Sequence, residues 1–319
     1  MRIRIRAFEG PDQEAWDGLV AQASAGTFLH SRRFLSYHAQ RFTDCSLVLE
    51  DDSDAMQGVF PAAFDPSDPA IVVSHPGSTY GGLLHTGGLQ GEQGLHALEA
   101  ICSRYRQQGR RLLRYKCVPS IYHRMPAQDD AYALFRMNAR LYRRDLSCAI
   151  DLAARGNPSG QRRRGLKKAR SSALKVSADF EAVRRFWPVL EDNLAARHRV
   201  TPVHTIEEIA LLRARLPSHI DLLVATLDEA VVAGVLLFDS DRVSHAQYIA
   251  ASDQGRQVGA LEAVFETAIE RAAQAGRRYF DFGISTEQGG AVLNDGLYSF
   301  KAGFGGSGVV HDFYEITLE

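Results

Sequence analysis

A lysine stands among aromatic residues and glycines near the end of the chain. Residues 279–306, YFDFGISTEQGGAVLNDGLYSFKAGFGG, have the pattern of a short strand, a Gly-rich loop and a short helix carrying Tyr298, Phe300 and Lys301. Aromatic side chains exclude water and glycines let a ligand approach the backbone, so an ammonium held there acts in a low-dielectric setting. The pattern indicates stabilisation of developing negative charge, and a solvated lysine is the alternative.

A second candidate is a stretch of cations without any acid. Residues 161–175, QRRRGLKKARSSALK, place Arg164, Lys167, Lys168 and Arg170 on one broad face near the start of a predicted helix. These cations repel one another and oppose the helix dipole, so an anion would relieve them. A diphosphate or an RNA backbone would serve, and a solvated charge run is the alternative.

The segment SHPGSTYGGLL, residues 74–84, is a third candidate. Its glycines permit a close backbone approach, and Tyr80 offers a stacking face and a hydroxyl. The pattern is not GxGxxG and opens no helix, so it does not indicate a dinucleotide site. We interpret Tyr80 as a substrate contact, with a structural turn as the alternative.

The composition is ordinary for a globular protein and excludes several classes. The 319 residues fit two domains of about 150 residues each. The net charge of -1 argues against a protein that coats nucleic acid. The four cysteines lack CxxC or zinc-ligand spacing, which indicates reduced thiols and no metal site. Without a signal peptide or an apolar run of membrane length, a cytoplasmic protein is expected.

Strand and helix patterns alternate through both halves of the chain. The turn-rich segment RGNPSG, residues 155–160, predicts a boundary between domains 1–154 and 155–319, with a cleft between them. Each half is predicted to be a mixed α/β unit, with a mostly antiparallel sheet flanked by helices. The predicted elements include a first strand from Arg2 to Phe8, a helix from Ser31 to about Arg41, a strand over 57–64, a capped helix over 205–216 and a helix over 257–275.

Together these segments resemble the FemAB-type branch of the GNAT superfamily, which includes Fem aminoacyltransferases and acyltransferases of polysaccharide clusters. The basic run Arg163–Ala169 is similar to the family's Arg-Arg-x-Ile-Arg-Lys-Ala segment. The stretches Phe280–Gly283 and Tyr298–Gly305 match its C-terminal signature. Near the N-terminus, His38 stands where peptidoglycan Fem enzymes carry a lysine that contacts the phosphates of the sugar nucleotide.

The junction AASDQGRQVGAL, residues 250–261, joins a strand to a helix, where free backbone amides can bind a pyrophosphate. It resembles the acetyl-CoA fingerprint Gln/Arg-x-x-Gly-x-Gly/Ala of the superfamily. Arg256 and Gly259 match the first half of that fingerprint, and Leu261 occupies the position of a small residue. The resemblance therefore implies a CoA site that departs from the usual pattern.

The resemblance implies two tandem GNAT-like domains and transfer of an acyl group to the amine of a nucleotide- or lipid-linked amino sugar. The donor is expected to be an acyl-CoA, and an aminoacyl-tRNA or a non-catalytic binding module are the alternatives. No permanently bound cofactor is expected. Lys301 would stabilise the oxyanion or the terminal ribose of the donor, and Asp281, Asp295 or Tyr298 could accept the proton. The substrate-binding candidates are His38, Tyr80, Arg164, Lys168, Tyr248 and Phe300, and the donor-binding candidates are Arg256 and Gly259.

Overall fold

The computed structural model describes residues 3–198 and 200–318, so Arg2 of the predicted first strand lies outside the described residues. The chain forms two compact units. Unit 1 comprises Met1–Asp145, Gln288–Val292 and Val310–Glu319, and unit 2 comprises Leu146–Glu287 and Leu293–Val309. Each unit is described by itself below.

Unit 1 combines short strands with four helices. Its strands are β1 (Arg4–Ala7), β2 (Leu47–Glu50), β3 (Met56–Phe60), β4 (Ala63–Asp65), β5 (Asp68–Val73), β6 (Leu84–His85), β7 (Leu112–Lys116) and the first part of β8 (Arg140–Asp151), and its helices are α1 (Gln13–Gln22), α2 (Arg32–Leu35), α3 (Glu92–Gln107) and α4 (Asp129–Arg136). Strands β1, β2, β3 and β6 form an antiparallel sheet in that order. Strand β5 pairs with β4 in antiparallel and with β7 in parallel orientation.

Unit 2 is built on a continuous sheet with the strand order β8-β13-β12-β11-β10-β9. Its elements after β8 are α5 (Gly160–Arg170), β9 (Lys175–Ala178), α6 (Val183–His198), α7 (Ile206–Arg215), β10 (Ile220–Leu227), β11 (Ala230–Asp239), β12 (Val243–Ala251), α8 (Asp253–Val258), α9 (Ala260–Gln274), β13 (Tyr279–Ile284), β14 (Thr286–Glu287), β15 (Val292–Leu293), α10 (Asp295–Ala302) and β16 (Ser307–Thr317). Strands β15 and β16 also contribute residues to unit 1. All pairings in this sheet are antiparallel except that of β12 with β13.

Each unit has its own hydrophobic core. In unit 1, Phe60 packs against Tyr105 and Tyr115, and all three side chains are fully buried. In unit 2, the ring of Phe265 on α9 lies 5.0 Å from that of Phe282 on β13, which joins the helix to the sheet. The helix α7 begins with the predicted capping pair, in which the Thr205 and Glu208 side chains each bond the other's backbone amide.

Two predicted elements in unit 1 are shorter than expected. The helix predicted from Ser31 to about Arg41 ends as one 3-10 turn, because Ala39 has a left-handed φ of 49° that interrupts the helix. The strand predicted over residues 57–64 is split into β3 and β4 at Pro61, which has no amide hydrogen to donate to a sheet ladder. Helix α4 did not follow from the sequence pattern.

The helix predicted over residues 257–275 is two helices. Gly259 separates α8 from α9 with a left-handed φ of 77°. A Cβ atom at this position would lie 2.3 Å from the carbonyl oxygen of Gly165 on α5, so the chain bends where two backbones touch. In the part of the chain that the structure describes, no helix has the length and apolar character to cross a membrane.

Candidate functional site

The site residues of unit 2 gather where two parallel strands part. Strand β12 pairs with β13 only over Val243–His245 and Tyr279–Asp281. His245 and Asp281 are the last pair of this ladder, and their side chains meet there. Beyond them β13 shifts its register against β8, and Gly283 adopts a φ of 78°. Two ionisable side chains therefore lie at the point where the ladder ends.

Asp281 is fully buried, and both of its carboxyl oxygens are hydrogen-bonded. The Ser147 hydroxyl on β8 donates to Oδ1 at 2.5 Å, and the Gly283 amide donates to the same oxygen at 3.1 Å. The Nδ1 atom of His245 lies 2.9 Å from the other oxygen, Oδ2. The orientation of the carboxyl group is thus fixed by one hydroxyl, one imidazole and one backbone amide.

Lys301 lies on α10 and is 3% exposed. Its ammonium donates to the carbonyl oxygens of Gly283 at 2.9 Å and Ile284 at 2.6 Å, at the end of β13. Burial lowers the pKa of Lys301 to about 8, although Asp281 and Cys148 act in the opposite direction. The ammonium is therefore desolvated and belongs to the same cluster as Asp281.

Three other candidates of this segment have different surroundings. Phe300 packs among aromatic rings, 6.1 Å from Phe265 and 5.4 Å from Phe304, with the Arg162 guanidinium 4.5 Å from its ring centre. It fixes α10 to α9. Tyr298 is half-buried, and burial raises the pKa of its hydroxyl. Asp295 is exposed in the first turn of α10.

The predicted donor-binding residues also have structural contacts. Arg256 on α8 donates to the carbonyl oxygen of Ala251 and pairs with Asp253. Gly259 meets the backbone of Gly165, as described above. Helix α5 therefore packs against the N-terminus of α9. A helix N-terminus is where a pyrophosphate would bind.

The predicted acceptor-binding residues of unit 2 lie in two places. Arg164 and Lys168 are exposed on α5, whereas Arg162 on the same helix turns inward and pairs with Glu262 at 2.6 Å. Tyr248 on β12 is buried, and its hydroxyl lies 2.7 Å from Nδ1 of His204. Only the α5 residues are thus presented to solvent.

His38 and Tyr80 belong to unit 1 and are 4% and 1% exposed. The ring nitrogens of His38 lie 3.0 Å from the Leu35 carbonyl oxygen and 3.2 Å from that of Gly77. The Tyr80 ring lies 4.8 Å from that of Tyr122. Both side chains are interior in this structure.

Comparison with known proteins identifies a domain within the chain. Residues 154–291 match the model of a family described as an acetyltransferase (GNAT) domain. This stretch of the chain is therefore similar to GNAT acetyltransferases. No curated protein sequence matches it.

Solved structures show the same fold over the whole chain. FemX is 12% identical with a TM-score of 0.69, covering 98% of this chain and 97% of that one. The C-terminal domain of a putative lysylphosphatidylglycerol synthetase from Agrobacterium fabrum is 13% identical with a TM-score of 0.58, covering 85% and 83%. A tandem GNAT protein from the clavulanic acid biosynthesis pathway is 12% identical with a TM-score of 0.55, covering 100% and 99%. The predicted fold of two tandem GNAT-like domains is confirmed.

Sequence reasoning missed His245 and Ser147. His245 is a polar residue within the strand sequence VSHAQYIAA, which is a weak signal by itself. Its partner Asp281 lies on another strand, and the register of two parallel strands does not follow from a single sequence. Among residues 3–198 and 200–318, no group of three or more His, Cys, Asp or Glu residues could hold a metal ion.

Proposed function

We propose that this acyltransferase moves an acetyl or similar acyl group from an acyl-CoA to an amine of a nucleotide- or lipid-linked amino sugar. The amine nitrogen attacks the thioester carbonyl, the C–S bond breaks, and the amine's proton leaves with the thiol. The product would be a precursor of a cell-surface polysaccharide. The four free cysteines fit a reducing compartment, so we place the reaction in the cytoplasm.

The observation that carries this proposal is the desolvated ammonium of Lys301 in unit 2. An ammonium has three N–H donors, and the Gly283 and Ile284 carbonyls use two of them. One donor remains for the oxyanion that forms on the acyl carbonyl. A preorganised donor in a desolvated site contributes about 2.7–4 kcal/mol to such a step.

The acceptor class is supported by the surface of α5. Its exposed side chains include Arg164 and Lys168, and no ion pair is present for either among the described residues. Guanidinium and ammonium groups bind phosphate oxygens through charge-assisted hydrogen bonds. A diphosphate that links the amino sugar to its carrier would meet this requirement.

A second donor is favoured by one observation. The backbone of Gly165 packs against Gly259, at the helix start where the pyrophosphate of CoA would bind. An aminoacyl-tRNA does not need that position. In this second candidate the aminoacyl ester replaces the thioester, and the released group is a ribose hydroxyl.

The experiment is calorimetric titration with acetyl-CoA and with a charged tRNA mixture, followed by turnover with a UDP-linked amino sugar. We expect acetyl-CoA to bind, and thiol release to require the amine. If charged tRNA binds and acetyl-CoA does not, the donor is an aminoacyl-tRNA instead of an acyl-CoA. Absence of transfer from either donor, under conditions where the protein is folded, would contradict the proposed function. Lys301→Ala at full turnover with intact folding would refute the role of Lys301.

A further inference from the structure

The hydrogen bonds around Asp281 determine which group carries a proton. Its Oδ1 atom faces two donors, the Ser147 hydroxyl and the Gly283 amide. An ionised carboxylate only accepts hydrogen bonds, so Nδ1 of His245 must donate to Oδ2 at 2.9 Å. This network assigns the proton of neutral His245 to Nδ1 and the lone pair to Nε2.

Access to a substrate differs sharply between the two partners. The Asp281 side chain is 0% exposed, and the His245 side chain is 14% exposed. Gly283 lies beside the imidazole, since a Cβ atom there would be 3.4 Å from Cε1 of His245. An approaching amine can therefore reach the imidazole but not the carboxylate.

The ionisable groups near this pair come from two further elements. Lys301 on α10 interacts electrostatically with Asp281, and Cys148 on β8 interacts with both. Burial raises the pKa of Cys148 to about 12, so this thiol stays neutral at physiological pH. Phe238, the cross-strand neighbour of His245 on β11, does not titrate. Of the side chains named here, the Asp281 carboxylate is the one that bonds the imidazole directly.

We infer that His245 accepts the proton of the attacking amine through Nε2, and that Asp281 and Ser147 position the imidazole. As the N–C bond forms, the amine's proton passes to Nε2, and Asp281 stays ionised and stabilises the imidazolium. When the C–S bond breaks, the same proton passes to the departing thiolate. This inference rests on the proposed acyl transfer, and the same step with an aminoacyl ester would deliver the proton to a ribose alkoxide.

The alternatives fit less well. Tyr298 is a weak base at neutral pH, because burial makes its ionisation harder. Asp295 is exposed in the first turn of α10, with no bonded partner that orients its carboxylate among the described residues. An oriented imidazole is the most frequent general base in enzymes, because its proton affinity suits neutral pH.

The test compares His245→Gln and Asp281→Asn with the wild type over pH 5.5–9. We expect the wild-type kcat/KM to fall towards acidic pH, as catalysis by a general base requires. His245→Gln should lose about 100- to 10,000-fold in kcat, keep its affinity for the donor, and lose the acidic fall. Asp281→Asn should keep an acidic fall at a shifted pH. His96→Gln, an exposed histidine in unit 1, is the matched control and should leave the profile unchanged.

Two results would overturn the inference. One is His245→Gln with kcat within about threefold of wild type and an intact acidic fall. The other is a nitrogen NMR spectrum in which neutral His245 carries its proton on Nε2. The spectrum needs no substrate, so it separates failure of this inference from failure of the proposed function, which inactivity of the folded wild type would reveal.

Discussion

A pair of parallel strands is described in each unit, β5 with β7 in unit 1 and β12 with β13 in unit 2. Of these two pairs, the one in unit 2 ends in an acid–base couple. In unit 1 the ladder of β5 and β7 ends at Val73 and Arg114. Arg114 is neutralised by Asp65 and Glu315, and Val73 is apolar. In unit 2 the corresponding ladder ends at His245 and Asp281. The same architecture therefore carries titratable groups in one unit and a packed end in the other.

The chain beyond the two ladders differs as well. In unit 1, the amide of Gly81 bonds the Lys116 carbonyl, and the Lys116 ammonium takes the carbonyls of His75, Pro76 and Ser78 at 2.6–3.2 Å. The strand end is thus covered by its own loop. In unit 2 a lysine from a separate helix, Lys301, holds the strand end. The proposed catalytic role of Lys301 and a structural role of Lys116 would both be consistent with this difference.

The sharpest test exchanges each lysine for methionine. Lys301→Met should lower kcat about 100- to 1000-fold, because the donor to the oxyanion is lost. Lys116→Met should leave kcat of the folded protein unchanged but destabilise it by about 1–3 kcal/mol, since three loop carbonyls lose their donor. Steady-state kinetics and denaturant unfolding measure both effects. Equal losses of kcat in the two variants would contradict the assignment of a catalytic role to Lys301 and a structural role to Lys116.

The pH dependence gives a second test. The pKa of Lys301 is lowered to about 8, so the ammonium is charged below that pH and neutral above it. If the charge stabilises the oxyanion, kcat should fall above pH 8 by up to about tenfold per pH unit. Lys301→Arg stays charged, so its residual activity should not fall between pH 8 and pH 9.5. Burial lowers the pKa of Lys116 to about 7, and its titration should leave kcat unaffected.

The fold was predictable because its signals are local. Helix caps such as Thr205 and the alternation of strands and helices depend on neighbours in the sequence. The exceptions also have local causes that only the structure reveals. Pro61 splits a predicted strand, and Gly259 breaks a predicted helix because the backbone of Gly165 approaches it.

The candidate site was predictable only in part. The buried setting of Lys301 followed from its aromatic and glycine neighbours, and the structure places it at 3% exposure. The partnership of His245 with Asp281 depends on the register of two strands 36 residues apart, which no local pattern encodes. The sequence does not distinguish the two settings of Phe300, because an aromatic residue beside a pocket and one against a core have the same sequence pattern. In the structure Phe300 packs against the core of unit 2, and its contact with a substrate stays a prediction.

Two single glycine substitutions, one in each unit, are expected to have smaller effects on kcat than the lysine substitutions. Gly283→Ala puts a methyl group in ordinary contact with the His245 ring, 3.4 Å away, but at a φ of 78° that L side chains rarely adopt. The backbone strain should shift the Gly283 amide that bonds Asp281 and lower kcat about tenfold. Gly82→Ala in unit 1 brings a methyl group 2.7 Å from the Tyr115 hydroxyl at a φ of 95°. That change should destabilise the protein by about 1–3 kcal/mol without altering kcat of the folded fraction. Kinetics normalised to the folded fraction would distinguish the two, and a kcat loss confined to Gly82→Ala would reverse the assignment.

The smallest expected effect concerns the exposed cations on one helix of each unit, α5 and α3. On α5 of unit 2, Arg164 and Lys168 are exposed, and on α3 of unit 1, Arg106 is exposed. Replacing Arg164 and Lys168 together by glutamine should raise KM for a diphosphate-linked acceptor about fivefold at low salt, with kcat unchanged, because each surface charge contributes little and is screened. Arg106→Gln is the matched control and should leave KM unchanged. An equal rise in KM for an acceptor amine without phosphate would mean that α5 does not recognise the diphosphate, and the acceptor class would then have to be sought elsewhere in the molecule.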